Sequence, residues 1–347
     1  MWFASDNAGP AAPEILAALA AANEGNAASY GAEPGMARIA DRLRDLFEAP
    51  QAAIYLVATG TAANALALAT LCPPWGAILC HRDAHVETDE CGAPEFYTGG
   101  AKLALLDGAH GRIEPASLAG ALDRAALASV HQVQASVLSL TNATEAGTVY
   151  DPDALARLAG LARGAGLPVH LDGARFANAL ASLGCSPAEL SWKAGIDMVS
   201  LGATKNGCLG VEAVILFDPA RAREFELRRK RAGHLVSKHR YLSAQIEAWL
   251  GDGLWLALAA RANARAARLA AGLRALGIAP DHPVEANIVF ATWPRHLHRA
   301  ALGAGAVYYL WNAGLDGPDR EPLQARLVCN WATTEAEIDH FLALLRP

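Results

Sequence analysis

Val169-His170-Leu171-Asp172-Gly173-Ala174-Arg175 and Val199-Ser200-Leu201-Gly202-Ala203-Thr204-Lys205-Asn206-Gly207 are the two stretches whose reading decides the fold. Each opens on a short apolar run of the kind that forms a buried strand. The first run ends on a carboxylate, Asp172, and the second on a lysine, Lys205, in a turn flanked by glycines. In an open parallel sheet, ligands gather outside the carboxyl ends of the strands, so both side chains are expected to face one crevice. Either residue alone reads as an ordinary strand-end acid or a surface lysine. It is the pair that points to chemistry.

Outward from these stretches, short apolar runs alternate with Ala/Leu-rich helical segments. Strands are expected at Ala52–Ala58, Ala77–Cys80, Lys102–Leu106, Ser136–Leu140, Pro168–Leu171, Met198–Leu201 and Ala213–Phe217. Helices are expected at Ala62–Leu71, Glu114–Leu122 and from Asp151-Pro152, an N-cap followed by proline at the first helical position, to about Arg163. The runs are continuous rather than alternating, as in strands covered on both faces. This pattern predicts an α/β domain with a mainly parallel sheet. Residues 219–276 read as almost wholly helical. Asn287–Phe290, Val307–Leu310 and Arg326–Cys329 then read as strands, with helices near 296–302 and 334–345 and a loop over Gly314–Pro322. The division expected is an N-terminal segment 1–20, a large domain 21–245 and a smaller α+β domain 246–347.

Charged residues make up 18% of the 347-residue chain and the net charge is −6, so no basic footprint for nucleic acid is present. The run Arg228-Arg229-Lys230-Arg231 reads as a solvated helix face. Cys72, Cys80, Cys91, Cys185, Cys208 and Cys329 are scattered singly, without a C-x-x-C pair, and read as reduced packing residues. The N-terminus lacks a charged and then apolar leader, and Gly, Pro or charge interrupts every long apolar run. A cytoplasmic enzyme without nucleic-acid or membrane partners is the expectation.

The lysine and acid together are what pyridoxal 5'-phosphate (PLP) requires. A lysine forms an imine with its aldehyde, and a carboxylate keeps the pyridine nitrogen protonated so that the ring draws in electrons. Ala58-Thr59-Gly60-Thr61-Ala62-Ala63-Asn64 is a strand end running into a helix, where free N–H groups suit a phosphate, though alone it is an ordinary turn. His81 and His85 stand four apart amid carboxylates, which raises a metal reading. No H-E-x-x-H accompanies them, and no metal site is expected.

Leu171-Asp172-Gly173-Ala174-Arg175-Phe176-Ala177-Asn178 and Ser200-Leu201-Gly202-Ala203-Thr204-Lys205-Asn206-Gly207 resemble the two signature segments of the threonine aldolase and β-eliminating lyase family, and within it the low-specificity L-threonine aldolases. The resemblance spans nearly the whole chain and is best between residues 50 and 210. It implies the aspartate-aminotransferase type of PLP fold, with a seven-stranded, mainly parallel large-domain sheet. Lys205 would hold the cofactor, Asp172 its ring nitrogen, and Gly60 and Thr61 its phosphate, with Thr204 and Arg175 adding contacts. His85 would stack on the ring and help move the β-hydroxyl proton, while His81 reads as a loop residue. Arg326, Arg175 and Ser5 would take the substrate carboxylate, for which a bidentate guanidinium is best suited. Tyr30 and a basic residue of the 228–240 stretch, Lys238 or else Arg240, would reach a partner subunit's site.

Two positions depart from the family. Glu33 stands where Asp is usual, and Thr144 stands where many members carry a histidine favoured as the hydroxyl base. The base is then His85, Glu145 or a water. The expected activity is retro-aldol cleavage of L-threonine, L-allo-threonine and related β-hydroxy-α-amino acids such as phenylserine to glycine and an aldehyde, by a homo-oligomer built as a dimer of dimers. The rivals are β-elimination or racemisation on the same scaffold, a non-catalytic PLP-fold binding protein, and a metal-dependent lyase using His81 and His85.

Overall fold

The computed structural model describes every residue except Asn312 and Pro347. In chain order the elements are α1 (Pro13–Ala21), α2 (Pro34–Leu46), β1 (Ala53–Val57), α3 (Gly60–Leu71), β2 (Gly76–His81), α4 (His85–Thr88), α5 (Ala93–Thr98), β3 (Lys102–Leu106), α6 (Pro115–Ala126), β4 (Gln134–Thr141), α7 (Pro152–Gly164), β5 (Val169–Gly173), α8 (Phe176–Leu183), β6 (Met198–Gly202) and β7 (Glu212–Leu216). They continue as α9 (Ala222–Arg231), α10 (Arg240–Leu250), α11 (Leu254–Ala275), β8 (Ile288–Pro294), α12 (Arg295–Gly303), β9 (Tyr309–Leu310), β10 (Pro322–Val328) and α13 (Glu335–Leu344). Helix starts follow local chemistry. Thr59 caps α3 by accepting the Ala62 N–H, Asp151 caps α7 by accepting that of Ala154, and Thr334 and Glu337 form a reciprocal capping box on α13.

The first seven strands form one sheet in the order β1-β7-β6-β5-β4-β2-β3. The pairs β6–β5, β5–β4, β4–β2 and β2–β3 are parallel, whereas β7 runs antiparallel to both its neighbours, β6 and β1. The expected seven-stranded, mainly parallel sheet is therefore present, with β7 as the reversed member. β2, β5, β6 and β7 are buried along their whole length, which favours apolar side chains, and polar ones within them find partners, as His170 Nε2 does 2.9 Å from Ser200 Oγ. Helix α3 is buried from Ala62 to Leu71. Its alanines let it lie close against the sheet, where it meets β1, β4, β5, β6 and β7.

A second sheet of three antiparallel strands, β8-β10-β9, carries the smaller core. The N-terminus belongs to this core: Phe3 is fully buried in it, its N–H donates to Val307 O, and its carbonyl accepts the Val328 N–H. The helical stretch expected over 219–276 is interrupted at residues 232–239 and at Gly251–Gly253. On the structure, residue 245 lies inside α10, whose apolar residues pack in the large core. Helix α11 begins there at Trp255 and ends in the small core at Leu273. Among the described residues no helix is long and apolar enough to cross a membrane.

Two glycines set the site. A Cβ on Gly202 would lie 2.4 Å from Ala174 O, and one on Gly173 would lie 2.8 Å from Ser200 O. Only glycine allows this approach, which brings the ends of β5 and β6 against each other.

Candidate active site

Asp172 is the penultimate residue of β5, paired in register with Ser200 of β6, two residues before that strand ends and the chain turns into Lys205. Its carboxylate is buried, with Oδ1 accepting the Ala174 N–H at 3.0 Å and Oδ2 accepting from Asn64 Nδ2 at 2.9 Å. Lys205 is half-buried in the turn after β6. Thr204 contributes structurally: its hydroxyl accepts the Val211 N–H at 3.1 Å and donates to Val211 O at 3.3 Å, so it is spent on the turn. At the start of α3 the Ala62 and Ala63 N–H groups go to Thr59, while those of Gly60 and Thr61 have no protein acceptor among the described residues. A methyl group on Gly60 would meet nothing within 4 Å. These free donors at a helix N-terminus suit a phosphate.

Arg175 is buried, and its guanidinium forks onto Asp6, with Nε to Oδ2 at 2.7 Å and Nη2 to Oδ1 at 2.9 Å. Asn287 Nδ2 also donates to Asp6 Oδ2, at 3.0 Å. Burial works to raise the Asp6 carboxyl, but the Arg175 guanidinium and then the Lys205 ammonium outweigh it and hold it at about 2. Part of the donor set expected to serve a substrate is thus committed to Asp6, a residue whose role the sequence did not show. Arg326 is different. It lies on β10, its Nη2 is 3.8 Å from Glu145 Oε2, and its Nε is buried without a hydrogen-bond partner. Burial, and then repulsion from Arg175, push its guanidinium below the ordinary range. Two cations, one buried and one largely so, repel each other here, which favours an anion between them. Ser5 accepts the Asn7 N–H at 3.1 Å and keeps its own proton for donation.

His85 opens the one-turn α4. Its Nδ1 lies 2.9 Å from Glu90 Oε1, and that same oxygen accepts from Asn64 Nδ2 at 2.9 Å. Asn64 therefore gives one hydrogen to Asp172 and the other to Glu90, joining the acid and the histidine through one amide. Because the carboxylate oxygen only accepts, the hydrogen between it and His85 sits on Nδ1, and Nε2 is left as the accepting nitrogen. The Glu90 bond raises the His85 imidazole, against burial, which lowers it. Burial raises Glu90 itself. His81 is occupied elsewhere, with Nε2 3.0 Å from Gly108 O and Nδ1 accepting the Asp83 N–H. The Thr144 hydroxyl bonds to Thr148 Oγ1 at 2.8 Å and contacts His110 O at 3.4 Å, with no basic atom of its own.

Tyr30 and Lys238 stand apart from this cluster. Tyr30 is 49% exposed, with the Lys230 ammonium 5.1 Å from its ring centroid, and Lys238 is exposed. Arg240 donates to Gly25 O at 2.8 Å within its own chain. Glu33 is buried and accepts from Ser243 Oγ at 2.6 Å, with His239 Nδ1 2.8 Å away, so this departure from Asp is anchored inside the protein.

The sequence profile of the β-eliminating lyases matches residues 3–294, and the chain belongs to that family. Within it, the chain is 43% identical over 347 residues to the low-specificity L-threonine aldolase of Pseudomonas sp. (strain NCIMB 10558), covering 99% of this chain and 96% of the relative. It is 45% identical over 334 residues to the enzyme of the same name from Pseudomonas aeruginosa, covering 95% and 93%. Among solved structures, the threonine aldolase of Leishmania major superposes with a TM-score of 0.92 at 31% identity, over 99% of this chain and 98% of that one. Serine palmitoyltransferase of Sphingomonas wittichii, at 16% identity, a TM-score of 0.70 and 99% and 86% coverage, shares the fold.

Proposed function

We propose that this protein cleaves L-threonine, L-allo-threonine and related β-hydroxy-α-amino acids to glycine and an aldehyde, with pyridoxal 5'-phosphate bound through Lys205. The observation that carries the reading is the pair of guanidinium groups, Arg175 buried and Arg326 largely so, in the charge cluster that includes Asp6, Lys205 and Asp172, with Arg326 Nε unpartnered. An α-carboxylate is the anion that a substrate of this class brings. The names of the two Pseudomonas relatives support the same activity.

The residues fit the cofactor. Free N–H groups of Gly60 and Thr61 suit its phosphate, the buried Asp172 carboxylate suits a protonated ring nitrogen, and Lys205 supplies the amine. When bound, the cofactor supplies an acceptor for the electron pair released at Cα. Asp172, kept in place by Asn64 and Ala174, fixes the positive charge on which that acceptance depends. Arg326, with the remaining donors of Arg175 and the Ser5 hydroxyl, would grip the carboxylate and fix the orientation of the substrate, so that geometry contributes to the rate. His85 Nε2 takes the β-hydroxyl proton, with Glu90 holding the ring in the right tautomer and sharing the charge that develops. Thr144 takes no part in proton transfer. The reading includes further copies of the chain, assembled as a dimer of dimers: Tyr30 and Lys238 lie on the surface, available to a neighbouring site.

Incubation with L-threonine, L-allo-threonine and L-phenylserine, with glycine and aldehyde measured, tests the proposal. Equimolar glycine and aldehyde are expected. Pyruvate and ammonia from serine, without glycine from threonine, would move the activity to β-elimination.

A further inference from the structure

Strand β7 is the one member of the large sheet that runs backwards, and this puts its first residue, Glu212, at the carboxyl ends of β6 and β1. Glu212 is paired in register with Gly202, the last residue of β6, and with Val57, the last of β1. It stands at the edge where ligands bind, opposite Gly202, and Lys205 lies only three residues beyond Gly202. Its side chain is not turned to solvent: the residue is buried, and its Oε2 accepts the Ala203 N–H at 2.6 Å and lies 3.5 Å from the Thr204 N. The Thr204–Val211 pair closes the same turn from the other side. Both Glu212 contacts fall on the peptide that leads into Lys205.

A buried carboxylate is costly and is retained where something compensates it. The titratable groups that face Glu212 are the Lys205 ammonium and the Cys208 thiol, both from the segment after β6; its β1 partner, Val57, is apolar. We infer that Glu212 is a positioning residue for Lys205: its carboxylate clamps the peptide that leads into the lysine and so fixes where the amine stands. The inference rests on the reading of Lys205 as the lysine that binds the cofactor. It adds a partner that the family resemblance did not provide. Burial raises the Glu212 carboxyl to about 7, against the Ala203 N–H bond, which lowers it, so the clamp gains its charge as pH rises through neutrality.

The test is the rate at which Lys205 is acylated in the cofactor-free protein, read by peptide mass spectrometry. This needs no turnover. Glu212→Gln keeps an oxygen for the Ala203 N–H and removes the charge. Without the charge, the bond to the Ala203 N–H is an ordinary neutral one, about half as strong, and the turn that carries the amine is held less firmly. Acylation in E212Q should then be roughly threefold to tenfold faster than in the wild type above about pH 7, and equal to it below about pH 6. Equilibrium dialysis adds a second readout: Glu212→Ala, which also removes the acceptor, should weaken pyridoxal 5'-phosphate binding by about tenfold. If the alanine variant fails to fold, the glutamine variant still decides the matter. Equal acylation rates in E212Q and wild type at every pH overturn the inference, as does a rate ratio that does not change with pH, since the hold on the turn would then not depend on the carboxylate. Failure of wild-type protein to yield glycine from threonine would overturn the proposed activity and leave the acylation result standing.

Discussion

Replacing Asp6 by Asn removes one partner of a fully buried ion pair while keeping its shape. In the native protein the Arg175 guanidinium is 3% exposed and the Asp6 carboxylate 0%, and they share two short hydrogen bonds. The depression of the Asp6 carboxyl from 3.8 to about 2 corresponds to roughly 2.5 kcal/mol of native-state stability. That contribution is complete above the ordinary value of 3.8 and is lost as pH falls through about 2. Stranding a buried guanidinium costs about 3–5 kcal/mol, and the charges of Glu145 and Asp172, both of which act on Arg175, offset part of it. A net loss of about 3 kcal/mol at neutral pH is expected, read as a lower urea midpoint at fixed protein concentration. The same change frees Arg175 to drift from the carboxylate site, so KM for threonine should rise about tenfold with a smaller change in kcat. An Asp6→Asn protein with an unchanged urea midpoint and an unchanged KM would refute the reasoning.

Other changes test neighbouring parts of the account. Arg326→Lys keeps the charge and loses the fork, so KM should rise about a hundredfold while the protein keeps its fold by circular dichroism; an unchanged KM would remove Arg326 from the carboxylate site. Glu90→Gln deletes the charge that raises His85, so the acid limb of the kcat/KM profile should move to lower pH and kcat should fall about tenfold. A fixed limb would separate His85 from proton transfer. Gly202→Ala would place a Cβ 2.4 Å from the Ala174 carbonyl oxygen, and this variant should not yield soluble protein; normal expression with bound cofactor would show that the approach of the β5 and β6 ends is not required.

The strands were legible because burial leaves short, mostly apolar runs, and Lys102–Leu106 begins and ends as read. The Asp172 and Lys205 segments were legible because strand ends and glycine turns are local features. The direction of β7 was not read, although a signal existed: the nine residues between Gly202 and Glu212 are too few for a parallel crossover, which takes a dozen or more. Helix α1 escaped because its short Ala/Leu-rich stretch carries weak periodicity, and α8 because eight residues give barely two turns in which a period can show. Asp6, Asn64, Glu90 and Glu212 act through partners that are distant in sequence, as with Asp6 and Arg175, 169 residues apart, or through a tight turn invisible before folding. No local pattern marks such residues. Thr204 shows the converse: it lies beside the key lysine, yet its hydroxyl serves Val211.

The central claim is that Lys205 and Asp172 serve one bound pyridoxal 5'-phosphate. Borohydride reduction of the cofactor-loaded protein, followed by peptide mapping, tests it most directly. The account predicts a single pyridoxyl label, on Lys205, and a loss of that label when Lys205 is replaced by Ala. A label on Lys102, Lys193, Lys230 or Lys238 instead, or no label at all, would contradict it.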